Sequence, residues 1–195
     1  RSDQTGGPGA RFLASDERKT LTLLYNAKQS LRRGFTTVRH AGGKISTFGA
    51  VDVKRAIDGG LFQASRLVVI AHAVAAPGCH TDASTYFRGN PHLADALQGL
   101  YPNLGNGADF ARAAARREIK YGADVVKLMV TGGFASPNDG PEEIQLEEDE
   151  IRAVLDVARH LGRPTTAHVY TAQMVSRLAE LGITGMEQMD KLTKL

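Results

Sequence analysis

One cysteine, Cys79, stands among 195 residues, so no intramolecular disulfide can form and the fold needs no oxidising compartment. Cytoplasm is the expected location. Excess charge is equally scarce: 24 Lys and Arg against 21 Asp and Glu leave a formal net charge of +3. The charges are interspersed, which gives a nucleic acid or a membrane surface no basic tract to bind. No apolar run approaches the roughly 20 residues that cross a bilayer, and Arg1 to Arg11 are Gly-rich and polar where a signal peptide needs an apolar centre. The sequence opens without Met on RSDQTGGPGARFLASDE, and segment 1–14 is expected to be a loop ahead of a folded unit over 15–195. Neither GxGxxG nor GxxxxGK[ST] occurs, and Gly132-Gly133 is too short to cradle a phosphate.

What is there is the ordinary balance of a globular protein, 42% hydrophobic and 23% charged, which excludes collagen, coiled coil and wholesale disorder. Helical segments alternate with short apolar, β-branched runs, the pattern of a parallel sheet covered by helices. Ser15-Asp16-Glu17 caps a helix with apolar positions Leu21, Leu24, Ala27 and Leu31, ending near Gly34. Strands are expected at 35–38, 66–71, 124–130, 164–169 and from 183 to about 188, with helices near 49–57, 108–121, after 147, and over 172–181. Glu147 to Glu150 suit a helix N-terminus and are expected to be solvated. Residues 72–107 carry Pro77-Gly78, Gly89-Asn90, Pro91 and Asn106-Gly107 with little periodicity, and a loop of that length in a compact domain is usually functional.

Side chains at the C-terminal ends of parallel strands face the reaction chamber in barrels and open sheets alike. There stand Arg39 and His40, His72 and His80, Lys127, His168, and Glu187-Gln188. Four of the six histidines fall in this set, which favours metal or acid–base chemistry. Lys127 sits among Val125, Val126, Leu128, Met129 and Val130, where an ammonium costs several kcal/mol unless paired or neutral. Neutral, it could form a Schiff base with a carbonyl or a carbamate that bridges two metals; charged, it would pair with a carboxylate. His168 suits either a metal ligand or a hydrogen-bonded core histidine.

The segments GFTTVR, DVKRAIDGGLFQASRLVV, PGCHTD, GADVVKLMVTGGFASPNDGP, DEIRAVLDVARHLGRPTTAHVY and ITGMEQ resemble, in this order over about residues 15–190, the amidohydrolase superfamily. The branch is that of imidazolonepropionase-like and Xaa-Pro dipeptidase-like metal-dependent hydrolases. The resemblance implies a partial (β/α)8 TIM-type barrel, about strands 2 to 6. It places Lys127 as the bridging carbamylated lysine, His168 as a metal-ligating histidine and His80 as a residue lining the substrate pocket. The implied cofactor is a divalent metal, zinc first, and the implied substrates are small molecules or dipeptide-like amides.

The departures weigh as heavily. The family draws two ligands from a His-x-His pair, which occurs nowhere here, and a histidine from the sixth strand, where this sequence reads Met186-Glu187-Gln188-Met189. Gln188 is a poor zinc ligand. Asp190, expected in a loop after that strand, is a poor stand-in for the family's eighth-strand aspartate. Two readings follow: part of a metal-dependent hydrolase of C–N bonds, active when its site is complete, or a non-catalytic scaffold or binding protein that keeps the pocket, with no metal bound. A partial barrel is further expected to self-associate or to take a complementing chain.

Overall fold

A computed structural model describes residues 14–43, 47–99, 101–137 and 139–192. Apart from residue 14, the expected N-terminal loop lies outside the described residues. Helix α1, Asp16–Arg32, starts as its sequence directs, with Ser15 Oγ accepting from the Arg18 amide at 3.2 Å. Of its four apolar positions only Leu24 and Ala27 pack inward. Leu21 and Leu31 are exposed, so the inward stripe is narrower than the periodicity suggests.

Strand β1 is Thr37–Ala41, helix α2 Gly49–Asp58, strand β2 Arg66–Ile70 and the short strand β3 Ala73–Val74. Helix α3, Pro91–Gly99, and helix α4, Ala108–Tyr121, precede strand β4, Val126–Met129. Helix α5, Glu148–His160, strand β5, Thr165–Thr171, helix α6, Ala172–Leu181, and strand β6, Gly185–Lys191, complete the order. Every pairing between these strands is parallel, β1 on β2 and then β3, β4, β5 and β6 in sequence. Asp124 joins the two ladders: its amide donates to the Val69 carbonyl at 2.8 Å and its carboxylate accepts from the Val69 amide at 2.8 Å. The expected α/β arc of parallel strands flanked by helices is present.

Alternation along the strands splits the sheet into two faces. Val74, Val126, Leu128, Val130, Ala167 and Val169 pack with Ile151, Val154, Ala158 and Leu178 of the helices. Leu67 and Val69 do the same with Val51, Val53 and Ala27. The residues between them, Lys127, Met129, His168 and Tyr170, belong to the opposite face, where Ala73 pairs Lys127 and Met129 pairs His168.

Several boundaries differ from the expectation. The first strand begins at Thr37 and not at 35, after the Gly34 turn (φ +90°) and Phe35, and runs to Ala41. Strand β6 continues to Lys191, so Asp190 lies within a strand and not in a loop. The irregular stretch 72–107 contains β3, a 3-10 turn over Ala83–Phe87 and α3, elements too short to leave a periodic signature. In the acidic run, Glu147 and Glu150 form a reciprocal capping box, and Glu150 is buried, accepting from the Gly107 amide at 2.6 Å. Only part of that run is therefore solvated.

Candidate active site

A cavity of about 340 Å³ opens at the C-terminal ends of the strands. Its lining brings together all four residues of interest, His80, Lys127, His168 and Gln188, with Met129, Tyr101 and Tyr170. The other two strand-end histidines do not join them. His40 lies on the alternate side of β1 with Nδ1 2.8 Å from the Ile70 carbonyl. His72 is fully buried, its Nδ1 3.0 Å from Glu118 Oε1, and the same carboxylate accepts from the His72 amide and from Asn103. That network braces the break between β2 and β3; it does not face the cavity. Cys79 is buried, which pushes its thiol up to about 11 and keeps it inert.

Lys127 pairs with a carboxylate. Its ammonium donates to Glu187 Oε2 at 2.9 Å and to the Ala41 carbonyl at 3.0 Å. The other Glu187 oxygen takes Arg39 Nη2 at 3.2 Å and Thr166 Oγ1 at 3.3 Å. One carboxylate thus links β1, β4, β5 and β6 on the inner face.

The Thr131-Gly132-Gly133 turn after β4 organises the rim. The Gly132 carbonyl accepts from His168 Nε2 at 3.2 Å, so a neutral ring keeps its acceptor on Nδ1. Gly133 lies flat beneath His80, where a Cβ would come 2.4 Å from the ring. The two imidazoles stack at 4.7 Å and 16°, and Tyr170 meets His168 edge-on. Gln188 lines the same cavity as His168. It sits where β6 is irregular, with φ +76° at Gln188 and +47° at Met189. Two successive non-glycine residues in the left-handed region cost of order 1–3 kcal/mol each, and the turn they make brings the Gln188 side chain into the cavity.

Sequence reasoning missed Ser136, Asp139 and Gln145, which surround His80. The only signal was the Pro137-Asn138-Asp139-Gly140 composition, which reads as an ordinary turn. Among the described residues no three His, Cys, Asp or Glu side chains gather as a metal-holding group. Zinc takes about three protein ligands, whereas here Lys127 is engaged with Glu187 and Gln188 offers an amide. The described residues by themselves therefore do not fit a metal centre.

The amidohydrolase family model matches residues 4–194. Ochratoxinase of Aspergillus niger is 23% identical over 194 residues, which span 95% of this chain and 38% of that protein. Among solved structures, an amidohydrolase superposes with TM-score 0.77 at 33% identity, covering 92% of this chain and 43% of the other. A prolidase complexed with N-methylphosphonate-L-proline superposes at 0.78 and 29% identity, covering 95% and 44%. The chain thus spans about two-fifths of the length of these proteins.

Burial holds His168 down to about 4, helped by the neighbouring His80 and Lys127 and opposed by its bond to Gly132 and by Gln188. An unfolded histidine titrates near 6.5, so between those values the unfolded chain binds more protons and stability falls as the pH falls. The expected loss from His168 between pH 6.5 and 4 is about 3 kcal/mol at most. Urea unfolding across that window should show a shallower decline for His168→Asn than for the parent chain; equal slopes would contradict the assignment.

Proposed function

The chain belongs to the amidohydrolase family, and from that premise we propose that its cavity is one wall of a site that hydrolyses C–N bonds in dipeptides, acyl-amino acids or cyclic amides. The observation that carries this reading is the convergence of Lys127, His168, His80 and Gln188 at one mouth of the sheet. Gln188 supplies a neutral donor and acceptor, His168 a neutral imidazole, and Met129 and Tyr170 an apolar wall. An amide flanked by a small side chain needs this pairing of uncharged hydrogen-bonding groups with apolar surface.

In a complete family site Lys127, as a carbamate, and His168 would be two of the residues holding a divalent metal, zinc first, whose chemistry would be to polarise the carbonyl and supply hydroxide. The remaining donors are not among the described residues. The folded unit is taken as 15–195 and its compartment as the cytoplasm. A second reading, a binding protein without metal, is favoured by the Lys127–Glu187 ion pair and by Gln188.

Two outcomes test this. The chain alone is expected to bind dipeptides or acyl-amino acids at up to about millimolar concentration, with NMR shifts at His80, His168 and Gln188. It is expected to turn none over; absence of any binding would overturn the reading of the cavity. Turnover on the order of one per second, abolished by a chelator, would show that the donor set is larger than described. Two equivalents of zinc, manganese or cobalt by elemental analysis would remove the metal-free reading.

The outer edges of β1 and β6 carry no partner strand among the described residues, and Phe35, Met189 and Leu192 are exposed beside them. Open edges of this kind invite pairing. A second copy of the chain is the proposed occupant in solution. Sedimentation should show association at tens of micromolar, roughly the range in which exposed edges aggregate; a stable monomer there would refute it.

A further inference from the structure

The side chains around His80 form a device of their own. Asp139, only 3% exposed at its side chain, gathers four donors. Its Oδ2 lies 3.2 Å from His80 Nδ1 and accepts from the Gly133 amide and Gln145 Nε2, each at 3.3 Å, while Oδ1 accepts from Ser136 Oγ at 2.5 Å. Ser136 Oγ is also 2.5 Å from His80 Nδ1. A serine hydroxyl has one proton, and here it goes to the carboxylate. Nδ1 of His80 must therefore be the donor, sharing its hydrogen between Ser136 Oγ and Asp139 Oδ2. Gln145 fixes the backbone as well, its Oε1 accepting from the His80 amide at 2.9 Å. One face of the ring is covered by Gly133 and a face is stacked on His168.

We propose that Asp139 is a positioning residue that locks His80 as the Nδ1–H tautomer, so that a neutral His80 keeps its acceptor lone pair on Nε2. The lock follows the same logic by which a buried carboxylate orients any acid–base imidazole. Ser136 and Gln145 hold the carboxylate, and Gly133 leaves room for the ring. The tautomer does not rest on the proposed function.

The test is ¹⁵N NMR of the chain labelled at histidine ring nitrogens, recorded near pH 8.5, roughly two units above the ordinary histidine value, with His80→Gln identifying the signals. The expected spectrum shows His80 protonated at Nδ1 in the parent chain. Asp139→Ala should convert it mainly to the Nε2–H form usual in water, and Ser136→Ala should leave it Nδ1–H because the carboxylate remains. A parent spectrum with His80 as Nε2–H overturns the proposal without recourse to any variant. So does an unchanged Nδ1–H ring in a folded Asp139→Ala. These signals read the tautomer in the absence of ligand, so a failure to bind amides would strike the proposed function and leave this result standing.

Discussion

The ion pair between Lys127 and Glu187 is the constraint around which the inner face of the sheet is arranged. Two charges at about 8% exposure lose much of their hydration, and such a pair is tolerated only when its remaining hydrogen-bonding capacity is met. Here it is met by backbone and side chain together: the Ala41 carbonyl from β1 takes a second lysine hydrogen, and Arg39 and Thr166 take the second glutamate oxygen. The strands that contribute are far apart in sequence. Their C-terminal ends are brought to one place, and the cavity opens there.

This arrangement divides the cavity into layers with different duties. Below, the charged layer joins the strands. Above it, polar groups and two stacked imidazoles line the cavity. The TGG turn serves both histidines at once, holding His168 through the Gly132 carbonyl and bedding His80 on Gly133. The left-handed backbone at Gln188 and Met189 is the local cost of turning an amide into the cavity at this level. The amidohydrolase family model spans all of these features. The geometry also shows what a metal would have to displace, since Lys127 already has a carboxylate partner.

Much of this was legible in the sequence, and the reasons are specific. The alternation of β-branched runs with helical periodicity gave the parallel α/β arc, because burial of one sheet face against helices leaves a strong imprint on residues such as Val126, Leu128 and Val154. A lysine inside an apolar strand was conspicuous for the same physical reason that it needed a partner. What escaped was short or nonlocal. The residues of β3 and α3 carry too few turns or alternations to register. Asp139, Ser136 and Gln145 lie up to 65 positions from His80, and nothing in a turn-like composition announces a buried carboxylate. His72 looked like a site residue until Glu118, 46 positions away, took both its amide and its ring.

A double-mutant cycle on Lys127 and Glu187 tests most directly whether the inner face depends on this pair. Unfolding free energies would be compared for the parent chain, Lys127→Met, Glu187→Leu and the double variant. Leaving one buried charge unpaired costs about 3–5 kcal/mol, whereas replacing both with apolar groups can be nearly neutral. The double variant is therefore expected to be more stable than the sum of the single losses implies, with a coupling of about 3 kcal/mol or more. Single losses that simply add, within about 0.5 kcal/mol, would contradict it.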